Sequence, residues 1–209
     1  MYVPNRFKDQ SDEHVENLIR QNPLATLISI EEGAPYVSHL PLLLSEENGQ
    51  RVLLGHLARA NPHSKLLKSG DVTAVFHGPQ TYITPSWYSI NNVPTWNYAV
   101  VHVRGSVDLI EDEAGITECV RVLSDTMEKT SKNPWEFWIP PDLEGSKLAR
   151  AIVGFKIRIK DLSAKFKLSQ QHPESERKRV IDALKSDRTD EASHRIADLM
   201  SNTRSVVTK

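Results

Sequence analysis

The sequence predicts an α+β fold that is mainly β, a closed and barrel-like antiparallel sheet with helices packed outside it. Three observations predict this fold. Residues 152–160 alternate apolar and charged side chains, as a half-buried strand does. Glu31 to Ala34 and the Asn48-Gly49 dipeptide are both typical of hairpin turns. Six or seven segments of strand character, joined by such short connections, then form the sheet.

The first half of the chain carries one clear helix and most of the predicted strands. Ser11 is a good N-cap, and the helix after it places Val15, Leu18 and Ile19 on one face. Pro41 interrupts the second strand, which indicates an edge or a bulge. The strands are predicted at residues 24–30, 36–44, 52–55, 71–76 and 81–84.

The second half begins with a long strand over residues 99–110 and an amphipathic helix over 113–129. A short helix over 146–151 leads into the alternating strand at 152–160. After Leu168 the chain becomes polar and helix-prone, with weak apolar stripes in two further helices.

Composition limits the class of protein. The chain has 209 residues and a formal net charge of −1, so no global field attracts nucleic acid or a membrane surface. Cys119 is the only cysteine, which excludes an internal disulfide and predicts a cytoplasmic location. The first eight residues lack the apolar core of a signal peptide, and no apolar run is long enough to span a membrane.

The most informative stretch joins the 52–55 strand to a predicted helix over residues 62–68. Asn61 is a good N-cap, and Pro62 has the backbone angle favoured at the first helical position. A helix start presents free N–H groups and a partial positive charge, and Arg59 and Lys65 add full charges. The pattern indicates an anion pocket, with an ordinary capped helix and solvated charges as the alternative.

A second informative segment, residues 85–98, is predicted to be a loop. It carries Trp87, Tyr88, Trp96 and Tyr98. Aromatic rings in a loop cover a flat ligand, pack at a subunit interface, or close the open end of a barrel.

A third segment, residues 165–171, follows the predicted last strand. Alternation places Lys165 and Lys167 on one side, opposite Phe166 and Leu168. The plain alternative to a functional role is a solvated sheet edge with positive residues that block aggregation.

Several familiar motifs are missing from the sequence. We find no glycine pattern of a dinucleotide or P-loop site, no nucleophile elbow and no zinc-binding spacing. Cys119 lies on the apolar side of its helix, as a buried structural thiol does. Several histidines on or beside strands could converge on a metal or haem, although hydrogen-bonded histidines at strand ends are commoner: His39, His56, His63, His77 and His102.

Five segments in order resemble the PaiB-like family, described as FMN-binding negative transcriptional regulators. They are residues 1–7, 55–63, 78–88, 94–98 and 167–170, and the similarity runs from Met1 to about Leu184. The resemblance implies the split β-barrel fold of flavin reductases and pyridoxamine-phosphate oxidases. It also implies a homodimer with FMN at the subunit interface and, in the Bacillus namesake, repression of protease synthesis and sporulation genes.

FMN has one phosphate and a flat tricyclic ring, and residue types suggest which side chains hold each part. We expect Arg59, Ser64 and Lys65, with the start of the following helix, to hold the phosphate. Trp96 and Tyr98 are suited to stacking on the ring, from the same subunit or from its partner. Hydrogen-bonding type matches a further set to the ring edge or ribityl chain: Ser38, His56, His77, Gln80 and Tyr82.

With this resemblance we assign residues 1–168 to a split-barrel flavin-binding domain and residues 169–209 to a helical appendage with a disordered tail. Two functional classes remain open, a flavin-dependent regulator and a flavin-dependent oxidoreductase acting on a small molecule. A haem- or metal-binding protein is a third, weaker class.

Direct DNA binding has little support in the residues. No helix-turn-helix pattern is present, and DNA-binding proteins usually combine such a motif with a basic face. The best basic cluster is Arg177-Lys178-Arg179, but Glu174 and Glu176 lie beside it. The residues therefore favour a solvated helix face and an indirect regulatory effect.

Overall fold

The computed structural model describes residues 1–8, 11–68, 70–140 and 146–206. Within these residues the strands are β1 (Leu24–Glu31), β2 (Ala34–Pro41), β3 (Leu43–Glu47), β4 (Gln50–Ala58), β5 (Val72–Ile83), β6 (Thr95–Ile110) and β7 (Ile152–Lys167). The helices are α1 (Asp12–Gln21), α2 (His63–Leu66), α3 (Glu113–Glu128), α4 (Ser146–Ala151), α5 (Glu174–Ser186) and α6 (Glu191–Asn202). Single 3-10 turns lie at Asn5–Phe7 and Pro85–Trp87.

The strands form one seven-stranded sheet in the order β2-β1-β5-β6-β7-β4-β3. The β1–β2 hairpin pairs Leu24 with Pro41 and Glu31 with Ala34. Its turn uses Glu32 and Gly33, both with positive φ, and the Asn48-Gly49 turn does the same between β3 and β4. Both predicted hairpin turns are therefore confirmed.

The two edges of this sheet approach each other, as a barrel requires. β2 forms one edge, and β4 is next to the other. A Cβ added to Gly55 of β4 would lie 3.2 Å from the carbonyl oxygen of Pro41 at the end of β2. The chain leaves β2 after Pro41, and the next residue, Leu42, donates its N–H to Pro23 O at 2.9 Å. The predicted interruption at Pro41 is the boundary between β2 and β3.

Several strand boundaries differ from the predictions, including those of β2, β3 and β4. The break predicted at residues 77–80 is wrong, because β5 continues through it from Val72 to Ile83. A Cβ at Gly78 would lie 2.9 Å from Ala99 O, so this glycine serves close strand contact rather than a turn. β6 begins at Thr95, and β7 extends to Lys167. Trp96 and Tyr98 consequently lie in a strand and not in the predicted loop.

The chain forms two compact units, each made of separate segments. The first unit comprises Met1–Gln21, His77–Val101 and Ser163–Lys209, and the second comprises Asn22–Phe76 and His102–Leu162.

The second unit contains a core of strand residues and one face of α3. Leu27, Phe76 and Phe155 are fully buried in it. Cys119 and Leu123 of α3 pack in a cluster with Leu43 and Leu54. The predicted helix over 113–129 is confirmed, and its N-cap Asp112 accepts the N–H of Gly115 at 2.8 Å.

The first unit contains α1 and the two C-terminal helices. Leu18 and Ile19 of α1 are buried as predicted. Asp190 caps α6 by accepting the N–H of Ser193 at 2.8 Å, and the Ser193 hydroxyl lies 2.8 Å from Thr81 Oγ1 on β5. The division between a domain at 1–168 and an appendage at 169–209 stays a prediction, and residues 207–209 of its tail lie outside the described residues.

Candidate functional site

His63 anchors the loop between β4 and α2 in the second unit. Its side chain is fully buried. Its Nδ1 lies 2.9 Å from Ser38 Oγ on β2, and its Nε2 lies 2.9 Å from Ser29 Oγ on β1. The Tyr36 ring packs edge-on against it at 5.1 Å between centroids. Burial lowers the pKa of His63, so the ring is neutral and carries one donor and one acceptor.

Asn61 links this anchor to the loop. Its Oδ1 accepts the N–H of His63 at 3.0 Å, and its Nδ2 donates to Ser38 Oγ at 3.2 Å. Tyr36 Oη lies 3.5 Å from the same Oδ1. The N-cap of α2 is Pro62, without a side-chain cap, so the prediction of Asn61 as N-cap is wrong by one residue, and Asn61 instead holds the N–H of His63 from the preceding loop. The loop is fixed by side chains from two neighbouring strands.

The expected free N–H groups at the helix start are a wrong prediction. α2 is a single turn from His63 to Leu66, shorter than the predicted 62–68. The N–H groups of Asn61, Ser64 and Lys65 donate to Ala58 O, Asn61 O and Pro62 O at 2.9, 2.9 and 3.0 Å. The tight turns that build the loop have used these donors, so the positive charge offered to an anion here is that of the side chains.

The charged side chains of the loop lie around one carboxylate. Arg59 Nη1 is 3.4 Å from Glu111 Oε1, and its Nη2 donates to Ile152 O at 3.1 Å. Lys68 Nζ is 3.4 Å from the other oxygen of Glu111. Hydrogen bonding and charge from Lys68, and then from Arg59, lower the pKa of Glu111. Lys65 is exposed. Among the described residues, three cations lie around the one carboxylate of Glu111, and this positive excess is suited to a phosphate.

Ser64 and His56 complete the predicted residues near this loop. Ser64 Oγ donates to Arg59 O at 3.2 Å, which orients the arginine backbone. His56 lies on β4, and its Nδ1 is buried with no hydrogen-bond partner among the described residues. Burial lowers the pKa of His56, so this nitrogen belongs to a neutral ring. A buried nitrogen without a partner fits a polar group of a ligand.

The other predicted residues belong to the first unit. His77, Gln80 and Tyr82 are exposed along β5. Tyr82 meets Trp96 of β6 edge-on, with ring centroids 6.2 Å apart. Tyr98 lies with its ring 5.5 Å from Lys165 Nζ. The ten predicted residues therefore fall into two sets, Ser38, His56, Arg59, Ser64 and Lys65 in the second unit and His77, Gln80, Tyr82, Trp96 and Tyr98 in the first.

Sequence reasoning missed Ser29 and Glu111, which complete the loop contacts. Ser29 is a buried polar residue inside the apolar β1 strand, and an isolated hydroxyl in such a run is a usable signal for a polar contact. Glu111 is far from Arg59 in the chain, and no local pattern connects the two.

In the basic cluster at 177–179, Lys178 and Arg179 lie on an exposed helix face as the sequence predicts, but Arg177 does not. Arg177 is fully buried and donates to Met200 O at 2.6 Å and to Glu174 Oε2 at 2.8 Å. Lys178 pairs with Asp182, and Arg179 Nε donates to Trp87 O at 3.3 Å. The apolar stripe of α5 is narrow, so the long arginine side chain fills the gap toward α6.

Within the described residues, no group of three or more histidine, cysteine, aspartate or glutamate side chains is arranged to hold a metal ion. The histidines considered in the sequence therefore form no such group there. In the same part of the chain, no helix combines the length and the apolar character that a membrane span needs.

Comparison with known proteins adds four findings, from a family model, one relative and two solved structures. Residues 1–161 match the family model described as "Putative FMN-binding domain". The chain is 36% identical over 203 residues to protease synthase and sporulation protein PAI 2 of Bacillus subtilis, covering 96% of each chain. Its fold is like that of the flavocytochrome Anf3 from Azotobacter vinelandii, with a TM-score of 0.63, 20% identity, and coverage of 84% of this chain and 77% of that one.

A second solved structure, the FAD and heme binding protein from Mycobacterium smegmatis, matches with a TM-score of 0.61 and 16% identity. The match covers 81% of this chain and 78% of that one. These likenesses confirm the predicted fold class, a mainly antiparallel split β-barrel with peripheral helices.

Proposed function

We propose, because this chain belongs to the FMN-binding domain family, that it is a transcriptional regulator of the PaiB-like kind whose effect depends on flavin. FMN is its cofactor, and when bound it supplies redox chemistry at its ring. The regulatory role follows the relative in Bacillus subtilis, whose name links it to protease synthesis and sporulation.

The observation that carries the flavin assignment is the positive excess at the loop braced by His63. We assign the FMN phosphate to Arg59 and Lys65, with Ser64 and His56 offering further polar contacts. Ser38 is already bonded to His63 and Asn61, so its role is to support the loop. The aromatic residues Tyr82, Trp96 and Tyr98 of the first unit, with His77 and Gln80 on β5, stay predicted contacts of the flavin ring.

Removing the arginine charge tests the phosphate assignment. We expect Arg59→Ala to weaken FMN binding about tenfold to a hundredfold, since a lost charge-assisted hydrogen bond costs about 1.5–3 kcal/mol. Riboflavin lacks the phosphate, so its affinity should change much less. Fluorescence titration of the flavin-free protein with both ligands measures the difference.

Arg104→Ala is the matched control, because Arg104 is an exposed arginine paired with Asp71. It should leave both affinities unchanged. Equal losses of FMN and riboflavin affinity in Arg59→Ala would place the phosphate elsewhere. Steady turnover of NADH or NADPH by the FMN-loaded protein would favour the oxidoreductase instead of the regulator.

We further propose a homodimer. The first unit exposes several large apolar side chains, and a partner would cover such a surface. They are Tyr82, Ile90, Val93 and Trp96, with exposed fractions of 38, 51, 71 and 51%. Sedimentation of the FMN-loaded protein at micromolar concentration should give a dimer, and a monomer would contradict the proposal.

We propose a cytosolic location because the chain has a single cysteine. Cys119 is a free and buried thiol, which suits a reducing compartment.

A further inference from the structure

Two lysines near the end of β7 differ from the other cations of that strand. Lys156 pairs with Glu47, Arg158 with Asp108, and Lys160 with Asp71. Lys165 and Lys167 form no ion pair within residues 1–8, 11–68, 70–140 and 146–206. We call Lys165 and Lys167 the lysine pair.

The lysine pair is partly enclosed. Both side chains are half-buried, and the alternating Phe166 and Leu168 are buried on the opposite side of the strand. Residues two apart on one face of a strand are separated by about 6.6 Å between Cα atoms, so both side chains leave the strand on the same side. Burial, and then the charge of Lys165, lower the pKa of Lys167. A bound anion would offset the repulsion between the two like charges.

The contacts that the lysine pair does make are with neutral groups. Lys167 Nζ donates to Thr95 Oγ1 and, at 2.8 Å, to Trp96 O. Lys165 Nζ lies 5.8 Å from the ring of Tyr2 and 5.5 Å from the ring of Tyr98. These contacts orient the ammonium groups without neutralising them.

Aromatic surface borders the lysine pair. Tyr2 is 82% exposed, its ring lies 5.8 Å from Lys165 Nζ, and it is not among the predicted flavin contacts. A planar group could therefore lie on the Tyr2 ring with its anionic substituent at the ammonium groups while FMN is bound.

We propose that the lysine pair binds the carboxylate or phosphate group of a small aromatic ligand other than FMN. Such a ligand would be the small molecule that this flavin protein senses. The proposal rests on the proposed function in one respect, since a sensed ligand presupposes a flavin-dependent regulator.

The test is calorimetric titration of the FMN-loaded full chain with benzoate and phenyl phosphate, and with uncharged benzamide. We expect the two anions to bind and benzamide to bind much more weakly. Lys165→Gln and Lys167→Gln should each weaken anion binding about tenfold or more, because each removes a charge-assisted hydrogen bond. Lys160→Gln, on the same strand but paired with Asp71, should leave it unchanged.

Protection of the unaltered protein gives a second measurement that needs no variant. Benzoate should slow reductive methylation of Lys165 and Lys167, read by peptide mass spectrometry, and should not slow that of Lys160. Three results would overturn the proposal: neither anion binds, Lys165→Gln and Lys167→Gln bind the anions as tightly as the unaltered protein, or benzoate does not protect the two lysines.

Flavin absorbance of the same samples separates this proposal from the proposed function. Loss of FMN from the Lys→Gln variants but not from Arg59→Ala would assign the FMN phosphate to the lysine pair. It would overturn both the phosphate assignment to Arg59 and Lys65 and the proposal of a second ligand at the lysine pair. Unchanged FMN affinity in Arg59→Ala, with anion binding still dependent on the lysine pair, would overturn the phosphate assignment alone.

Discussion

His63 illustrates how one side chain can fix a functional loop. Its two ring nitrogens bridge hydroxyl groups on β1 and β2, and its own N–H is received by Asn61. The loop that presents Arg59 and Lys65 therefore depends on a residue that is itself hidden from any ligand.

We expect His63→Phe to lower the free energy of unfolding by about 2–3 kcal/mol. The phenyl ring fills the same space but removes the histidine partner of the buried Ser29 hydroxyl and leaves Ser38 bonded to Asn61 alone. Urea unfolding measures the loss. His77→Phe, at an exposed position on β5, should change stability by less than about 0.5 kcal/mol, and an equal change in both variants would contradict this role.

Stability should also fall with acidification below pH 6.5. Burial lowers the pKa of His56, His63 and His172 in the folded chain from the ordinary value of 6.5. The unfolded chain then binds protons first, so stability is full above pH 6.5 and is lost as the pH falls toward the folded pKa values.

Urea midpoints measured across this range check the pH dependence. His63→Phe should reduce the slope, because one of the three groups is gone. A free energy of unfolding that stays constant from pH 6.5 down to the onset of carboxylate protonation would contradict the predicted pH dependence.

At the scale of the elements, β6 and β7 come very close at Gly105. A Cβ there would lie 2.0 Å from the carbonyl oxygen of Arg158, a backbone atom that cannot move aside alone. We expect Gly105→Ala to destabilise the protein by about 3 kcal/mol, at the upper end of overpacking costs.

Gly154→Ala on β7 is the matched comparison. Its added Cβ would meet the Ile110 side chain at 3.2 Å, which a small shift can relieve. Thermal and urea unfolding of both variants should rank Gly105→Ala as clearly the less stable, and the reverse order would contradict the close approach.

Local signals explain what the sequence could predict among the elements. α1, α3 and α6 have side-chain caps or apolar periodicity within one or two turns, and both hairpin turns use residues suited to positive φ. The predicted break at residues 77–80 fails because the role of Gly78 depends on its contact with Ala99 of another strand, which no local pattern shows. Arg177 was misplaced for a similar reason, since its burial depends on Met200 in α6.

The site was predictable only by residue type. The charges of Arg59 and Lys65 and the hydrogen-bonding side chain of Asn61 are visible in the sequence. The bridging by Ser29 and the competing carboxylate of Glu111 arise from long-range contacts, and so does the loss of free N–H groups in the short α2 turn.

For the whole molecule, the charge balance bears on how regulation is exerted. The net charge is −1, and Arg177 is unavailable to a DNA phosphate because it is buried. We therefore expect no retention of duplex DNA by the FMN-loaded protein, even at low salt, in a mobility-shift assay.

Binding that weakens with salt, with a log–log slope of about −0.9 per neutralised phosphate, would contradict this expectation. Lys178→Ala and Arg179→Ala would then show whether α5 is responsible, because these two cations are exposed on that helix.

Cys119 can report the rate at which α3 opens locally in the folded protein. Its thiol is buried in the second unit, its Sγ lies 3.5 Å from Gly55 O, and burial raises its pKa to about 11. A disulfide or maleimide reagent can label it only when α3 lifts away from β4. Because the chain has no other cysteine, the labelling rate measures how often α3 opens in this way. A second cysteine placed at an exposed position could carry a dye while Cys119 is kept.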